Sequence, residues 1–237
     1  MIETLKFYKN FPKEGINFID IIPFLQNKAV FKELTAKVAE ACTSPNIIAP
    51  EARGFLFAAP LLTEAQHIEN IIPVRKSGKL PFAEGDLHEV LIEKEYGFDH
   101  LFYRLSDIAA GKAEDGKIHI SIIDDVLATG GTAEGIANSM LSHKVVKDGV
   151  ECDIVIDEFI FLVELDFLAG KERLEKIAPV KYRFKPSMRY RGQVNESATS
   201  QRAMLETIDF GPKVGQNCYM IQFLIPTEYY NQYYGFF

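Results

Sequence analysis

One segment, Ser121–Glu134 with the sequence SIIDDVLATGGTAE, constrains the fold of this chain more than any other. It starts in a run of β-branched residues that follows Gly116, and such a run is typical of a buried parallel strand. We expect the strand to end at Asp124 and Asp125. A small, glycine-rich turn then opens a helix, predicted from about Ala133 to Val146. A strand, a turn and a helix in this order indicate an α/β fold.

The turn is suited to a phosphate group. Its residues can curl without Cβ clashes, so that successive backbone N–H groups and two hydroxyls point at one place. The positive N-terminal end of the following helix adds to the attraction for an anion. No lysine follows the glycines, as a Walker A loop requires, and no G-x-G-x-x-G is present. The predicted phosphate-binding residues are Ala128, Thr129, Gly130, Gly131 and Thr132.

The adjacent acids Asp124 and Asp125 narrow the ligand. Beside a phosphate they would be repulsive unless they accept hydrogen bonds from neutral hydroxyls or hold a cation. The vicinal hydroxyls of a ribose satisfy two adjacent acids. Strand, acids and turn therefore predict a ribose 5-phosphate site, and the alternative is an ordinary strand-to-helix turn with acids near a helix N-terminus.

The segment resembles the phosphoribosyl-diphosphate (PRPP) signature of the type I phosphoribosyltransferases. Further segments, in the family's order, narrow the resemblance to the adenine phosphoribosyltransferase family and carry it from about residue 7 to about residue 186. These segments are FPKEGINFID at Phe11–Asp20, PEARGFLFAAPL at Pro50–Leu61, VRKSGKLP at Val74–Pro81, KEYG at Lys94–Gly97 and, more weakly, ELDFLAGKERL at Glu164–Leu174.

The resemblance implies a type I phosphoribosyltransferase-like α/β fold, with a central, mostly parallel sheet flanked by helices, a small hood and a mobile flap. Residues 1–186 would form the transferase domain with its N-terminal hood segment. Residues 187–237 would form a C-terminal extension that packs on the same domain or at a subunit interface. The implied reaction converts adenine and PRPP to AMP and pyrophosphate in purine salvage, with Mg²⁺ as cofactor and a homodimer as the assembly.

Composition excludes several other classes. The net charge of −7 argues against general nucleic-acid binding, which needs a basic face. Because PRPP is itself polyanionic, local cations must offset this charge. The three cysteines are scattered and odd in number, and they suit neither a disulfide framework nor a zinc site. Without a signal-like or membrane-spanning run, we predict a cytoplasmic protein that does not bind membranes.

Helical and extended patterns alternate along the chain, and in such sheets ligands sit at the carboxyl ends of the strands. Pro81–Glu95 has little sustained periodicity and is interpreted as the mobile flap. Helices are predicted near Lys28–Cys42, Gly54–Gln66, Thr132–Val146 and Gly170–Lys176. Strands are predicted near Ile47–Ala49, Ile71–Arg75, Ile118–Asp124 and Ile154–Leu165.

Departure of pyrophosphate from the sugar builds up charge, so catalysis should come mainly from electrostatic stabilisation and positioning. The resemblance places Arg53, Lys76 and Lys79 on the pyrophosphate, together with Glu51 and Ala52, which it implies are joined by a cis peptide bond. A guanidinium can hold phosphate oxygens with two parallel bonds. Alternatively, Arg53 forms a surface salt bridge and the lysines belong to a solvated loop. Mg²⁺ would be held by Asp124 and Asp125 through water, since a hard cation can bridge substrate oxygens.

Glu95 and Tyr96, where the flap ends, match a pair that lies close to the base and ribose in this family. We predict acid–base help from Glu95 and closure of the site by Tyr96; the alternative is a solvated charge run. The base pocket is predicted at Asn17, Phe18 and Ile19. The family reads adenine partly through backbone groups there, and this chain has Asn17 and Ile19 where an aliphatic residue and an arginine are usual.

Two competing functions remain open at this stage. One is transfer to another purine, such as hypoxanthine or guanine, because Asn17 could present a carbonyl or an amide to a different base edge. The other is a non-catalytic sensor that binds PRPP. The aromatic C-terminal tail, Tyr219–Phe237, could cover the domain, complete the base pocket or form a subunit contact.

Overall fold

The computed structural model describes residues 4–11, 17–94, 97–165, 168–188, 205–208 and 218–223. The strands are β1 Lys6–Lys9, β2 Asn17–Asp20, β3 Asn46–Pro50, β4 Asn70–Lys76, β5 Leu87–Lys94, β6 Gly97–Arg104, β7 Lys117–Leu127, β8 Lys144–Lys147, β9 Val150–Glu164, β10 Val180–Met188, β11 Leu205–Ile208 and β12 Cys218–Phe223. The helices are α1 Lys28–Ala41, α2 Arg53–Ala58, α3 Leu61–Glu64, α4 Leu105–Ala109, α5 Gly131–Leu141 and α6 Gly170–Leu174, with a 3₁₀ helix at Ile22–Gln26.

The central sheet has the strand order β11-β12-β10-β9-β7-β3-β4-β6-β5, and β8 pairs with β9 outside this path. Neighbouring strands from β12 through β10, β9, β7 and β3 to β4 are parallel. The pairs β4–β6, β5–β6, β11–β12 and β8–β9 are antiparallel. The prediction of a central, mostly parallel sheet flanked by helices is confirmed.

Both faces of the sheet are covered by helices and are apolar. Successive side chains of a strand point to opposite faces, so neighbouring residues enter different cores. Ile122 of β7 packs with Ile136 and Met140 of α5 in one core cluster. Its neighbour Ile123 packs with α1 and with Leu61 of α3 in a second cluster. Burial on both faces explains why the inner strands are continuous apolar runs.

The N-terminal hood is a separate antiparallel hairpin of β1 and β2, in which Phe7 lies opposite Ile19. Ile21 and Phe24 follow the hairpin and are fully buried. Both belong to the second core cluster, together with Leu162 and Leu165 at the end of β9. The hood is therefore attached at the carboxyl edge of the sheet.

Two predicted helices were wrong in extent. The helix predicted over residues 54–66 is two helices, α2 and α3, separated at Pro60, which has no N–H to continue the ladder. The helix predicted to reach Val146 ends at Leu141, and Val146 lies in β8. Asp148 and Gly149 both have positive φ, as a tight hairpin turn to β9 requires.

The predicted flap over residues 81–95 is regular in its second part. β5 pairs residue by residue with β6. Val90 and Ile92 are buried while Leu91 is 56% exposed, the alternation of a half-buried strand. The interpretation of this part as lacking periodicity was wrong. None of the described helices is both long enough and apolar enough to cross a membrane.

Candidate active site

The candidate site lies where the adjacent parallel strands β7, β3 and β4 end. Because these strands run in the same direction side by side, their carboxyl ends open onto one edge of the sheet. The turn after β3, the end of β4 and the acid-rich end of β7 therefore meet, although they are far apart in sequence.

The turn after β3 collects cations around Glu51. The Glu51–Ala52 peptide bond is cis, as the resemblance implies. One carboxylate oxygen of Glu51 lies 2.7 Å from Arg75 Nε and the other lies 3.3 Å from Lys79 Nζ. Burial alone would raise the pKa of Glu51, but hydrogen bonds from Arg75, Lys79 and the Lys76 backbone outweigh it and lower the pKa. Glu51 thus holds two basic side chains at the edge of the site.

Arg53 connects this cationic turn with the acids of β7. It is the first residue of α2, and its Nε lies 2.9 Å from Asp125 Oδ2. Its guanidinium carbon is 6.0 Å from the centre of the Phe18 ring in the hood. With 38% of its side chain exposed, Arg53 can still reach a ligand. Arg53, predicted to bind pyrophosphate, therefore contacts Asp125, predicted to bind ribose, and lies near Phe18, predicted to border the base.

The two acids at the end of β7 have different surroundings. Asp124 is partly exposed, and its Oδ1 accepts a hydrogen bond of 2.9 Å from the Asp125 N–H. Although part of the residue reaches solvent, its carboxyl group is surrounded by protein atoms, and this desolvation raises the pKa of Asp124 well above its usual range; the charge of Asp125 raises it further. Asp125 is 3% exposed, and its Oδ2 is the atom that pairs with Arg53. The pair therefore offers carboxylate oxygens for hydroxyls or a hydrated cation.

Gly54 allows the two strand ends to approach closely. A Cβ at this position would lie 3.0 Å from Pro50 Cδ and 3.2 Å from Asp124 Oδ1. A larger residue would crowd Pro50 and Asp124, which would have to shift by a few tenths of an ångström. Glycine therefore suits the close packing between α2 and the end of β7.

The predicted phosphate loop, Ala128–Thr132, forms the turn into α5. Gly130 has φ of 76°, a left-handed conformation that glycine adopts without strain. Helix α5 begins at Gly131, and the Glu134 N–H donates to Gly130 O at 2.9 Å. Apart from the buried Ala128, the loop residues are partly exposed. The loop has the left-handed residue before a helix N-terminus that favours anion binding.

The helix predicted near Gly170–Lys176 is present as α6, Gly170–Leu174, but its support of this loop was not predicted. Gly170, at the start of α6, packs against Ala128 O, and Arg173 contacts both Thr129 O and Glu134. The helical pattern and the weak family match at residues 164–174 both covered this segment, but neither assigned it a role. A cavity of about 490 Å³ lies beside the loop and is lined by Thr129, Leu168, Ala169, Glu172, Arg173 and Lys176.

The remaining predicted residues are placed as follows. Lys76 is exposed at the end of β4, and Ile19 is buried in the core with 9% of its surface exposed. Asn17 begins β2, and its main chain lies opposite Lys9. Glu95 and Tyr96 lie outside the described residues. Within the described part of the chain, no cluster of three or more His, Cys, Asp or Glu side chains could hold a metal ion by itself.

Comparisons with known proteins place this geometry in a family. No protein-family model matches the chain. The adenine phosphoribosyltransferase of Clostridium acetobutylicum is 37% identical over 188 residues, an alignment that covers 76% of this chain and 96% of that relative.

Solved structures show the same likeness. The adenine phosphoribosyltransferase of Saccharomyces cerevisiae, solved with an imino-altritol bisphosphate and adenine, is 34% identical with a TM-score of 0.59, and the match covers 76% of this chain and 93% of that one. The enzyme of that name from Rhodothermus marinus is 28% identical with a TM-score of 0.62, with 78% and 95% covered. With this identity across nearly the whole length of a relative, and with a matching fold, the chain belongs to the adenine phosphoribosyltransferase family.

Proposed function

We propose that this protein transfers the 5-phosphoribosyl group of PRPP to adenine, giving AMP and pyrophosphate as a step of purine salvage. The observation that carries the proposal is the ion pair between Arg53 and Asp125, with Arg53 Nε 2.9 Å from Asp125 Oδ2. It puts a cationic turn and an acidic strand end on the two sides of one point. A molecule with a diphosphate on one side of a ribose and a 5-phosphate on the other fits that arrangement.

Each part of PRPP then has a partner of suitable chemistry. The 5-phosphate binds the backbone N–H groups and hydroxyls of Ala128–Thr132, and the ribose hydroxyls donate to Asp124 and Asp125. Arg53, Lys76 and Lys79 hold the pyrophosphate, with the turn at Glu51 and Ala52 beneath it. These cations stabilise the charge that develops on the leaving oxygens, which is the main catalytic demand of this reaction.

The acid pair fits Mg²⁺ bound through water. Two adjacent aspartates at one strand end, of which Asp124 is partly exposed, supply the hard oxygen acceptors that this ion and its bound waters prefer. When bound, Mg²⁺ would neutralise charge on the diphosphate and ribose oxygens. The protein's part is to hold Asp124 and Asp125 at the end of β7 beside Arg53.

The base is proposed to lie against the hood. The proposed neighbours of the base are Asn17, Phe18 and Ile19. Since the Ile19 side chain is in the core, that residue would contribute its main chain. Phe18 is near Arg53, so the base and the pyrophosphate would approach the ribose from neighbouring positions. Glu95 would protonate a ring nitrogen as the new bond forms, and Tyr96 would close the site.

The wider organisation is also proposed. Residues 1–186 form the transferase domain and residues 187–237 an extension, and the protein acts as a cytoplasmic homodimer without nucleic-acid or membrane partners. Membership of a family of transferases that act on small molecules supports the proposal that its partners are small molecules. The free, buried thiols of Cys42 and Cys152 are consistent with a reducing compartment.

The test is to incubate the protein with PRPP, Mg²⁺ and each purine base separately, and to measure nucleotide formation. Adenine should be converted to AMP with release of pyrophosphate, and Arg53→Ala should abolish most of this activity. Lys144→Ala, which removes an equal charge from the exposed β8–β9 hairpin, is the matched control. Turnover of hypoxanthine or guanine but not adenine would replace the proposed base. Tight PRPP binding by calorimetry without consumption of any base would establish a sensor instead.

A further inference from the structure

Helix α6 lies directly on the phosphate loop. A Cβ on Gly170 would be 2.1 Å from Ala128 O, and a Cβ on Gly130 would be 3.1 Å from Gly170 O. Leu174 of the same helix is fully buried and would lie 3.2 Å from that Gly130 Cβ. The two backbones touch with no side chain between them, so the conformation of the loop depends on α6.

Arg173 is the polar part of this contact. Its Nη1 donates to Thr129 O at 3.3 Å, and its Nε lies 2.7 Å from Glu134 Oε2 in the first turn of α5. One guanidinium therefore joins the loop, the first turn of α5 and α6. A planar fork of fixed donors is suited to hold two acceptors at once.

These contacts set the direction of two backbone N–H groups. In a trans peptide the carbonyl and the following N–H point in opposite directions. Ala128 O and Thr129 O both face α6, so the N–H groups of Thr129 and Gly130 face away from it. An anion would avoid the side with the carbonyl oxygens and bind on the side with the N–H groups.

Arg173 also neutralises an acid in an unfavourable place. A carboxylate in the first turn of α5 competes with a phosphate for the positive end of that helix. Glu134 is in that turn, and the ion pair with Arg173 offsets its charge.

We propose that Arg173 is a positioning residue for the 5-phosphate of the substrate: it fixes the Thr129 carbonyl so that the loop N–H groups face the phosphate, and it neutralises Glu134. This rests on the proposed function of the loop. Arg173 acts through Thr129 and Glu134 and does not itself touch the reacting atoms. Because 46% of its side chain is exposed, its loss should affect phosphate binding more than folding.

The test compares Arg173→Ala, Arg173→Lys and the double variant Arg173→Ala with Glu134→Gln against wild type. Calorimetry measures the Kd for AMP, which uses the loop, and for pyrophosphate, which does not. Arg173→Ala should weaken AMP binding by about 3- to 10-fold, the equivalent of one or two lost hydrogen bonds, and change pyrophosphate binding by less than about twofold. Arg173→Lys keeps the charge without the fork, so its Kd for AMP should lie between those of wild type and Arg173→Ala. The double variant should recover the part of the lost AMP affinity that is due to the unpaired charge of Glu134.

Steady-state kinetics supply a second readout: KM for PRPP should rise in Arg173→Ala with kcat within about threefold of wild type. Lys144→Ala, beyond the opposite end of α5, is the charge-matched control and should match wild type. If Arg173→Ala binds AMP as wild type does, or loses AMP and pyrophosphate equally, the inference is overturned while the proposed function stands. If wild type neither binds AMP nor consumes adenine, the proposed function fails and this inference with it. Should Arg173→Ala fail to fold, Arg173→Lys alone decides, since unchanged AMP binding by a folded Arg173→Lys contradicts the need for the fork.

Discussion

Arg53 and Asp125 tie the end of β3 to the end of β7, with Arg53 Nε 2.9 Å from Asp125 Oδ2. The acid is almost fully buried, whereas the guanidinium is more than one third exposed. The buried partner therefore fixes the direction of the exposed one before any ligand arrives. A cation that is already oriented needs less reorganisation when charge develops nearby.

Asp125→Asn should lower kcat/KM for PRPP by about 100-fold, because it loosens Arg53 and removes a charged acceptor for a ribose hydroxyl. The measurement is steady-state AMP formation at saturating adenine. Asp153→Asn, which makes the same change in an exposed ion pair with Lys144, should have no effect. Unchanged kinetics in Asp125→Asn would remove that acid from the site.

Asp124→Asn should stabilise the ligand-free protein while it lowers activity. The pKa of Asp124 is raised in the folded state, so above about pH 3.9, where an ordinary aspartate ionises, folding works against the charge. An amide removes this cost and can still accept the hydrogen bond from Asp125 N–H. At pH 7 the Tm should rise by about 2 °C or more, and the gain should shrink as the pH approaches 4. A lower Tm at pH 7 would contradict this explanation.

His88 should make stability fall on acidification. Its ring centre is 4.4 Å from that of His143, which follows α5. The ring of His88, in β5, is also stacked on that of Tyr103, in β6. Burial and the nearby His143 lower the pKa of His88, while the Gly85 backbone and Asp86 partly oppose this. The neutral form is favoured in the fold, so the stability it contributes is present above about pH 6.5 and is lost as the pH falls below that value.

The corresponding variant is His88→Phe, which keeps an aromatic ring and cannot be protonated. Urea unfolding at pH 7 and pH 5 should show a smaller loss of stability on acidification than in wild type. Equal losses in the two proteins would exclude His88 as the source.

Glu158→Gln should destabilise the fold by about 2 to 3 kcal/mol. Glu158 is 2% exposed, accepts from the Thr43 N–H at 2.6 Å and from Ser121 Oγ at 2.7 Å, and pairs with Lys181. Lys181 is about one third exposed and can turn partly to water, which limits the loss. Urea unfolding measures the change. Glu151→Gln, in an exposed pair with Lys144, should cost less than about 0.5 kcal/mol, and equal effects would refute a special role for burial.

The sequence predicted the centre of the sheet and the ends of its strands because those signals are local. Ile118, Ile120, Ile122 and Ile123 form a run that only a doubly covered strand can bury. The cis bond at Glu51–Ala52 followed from a recognised motif. By contrast, Val145 and Val146 fit the end of an amphipathic helix as well as a short strand, and the turn at Asp148 and Gly149 decided between them.

The support of the phosphate loop could not be predicted in the same way. Arg173 and Glu134 lie on different helices, and their contact exists only because α6 packs on the loop through glycine. Similarly, the approach of Arg53 to Asp125 depends on the order in which β3 and β7 pair. Such contacts are set by topology, and the sequence shows only that residues of the right chemistry are available.

β11 and β12 extend one edge of the sheet beyond β10. β12 pairs with β10 at Lys185–Met188, beyond the stretch Val180–Phe184 that pairs with β9. An open sheet of this kind can gain polypeptide at one rim while the inner strands keep their neighbours and spacing. In evolution, segments can therefore be added at this edge of the sheet without changing the residues at the ends of β3 and β7.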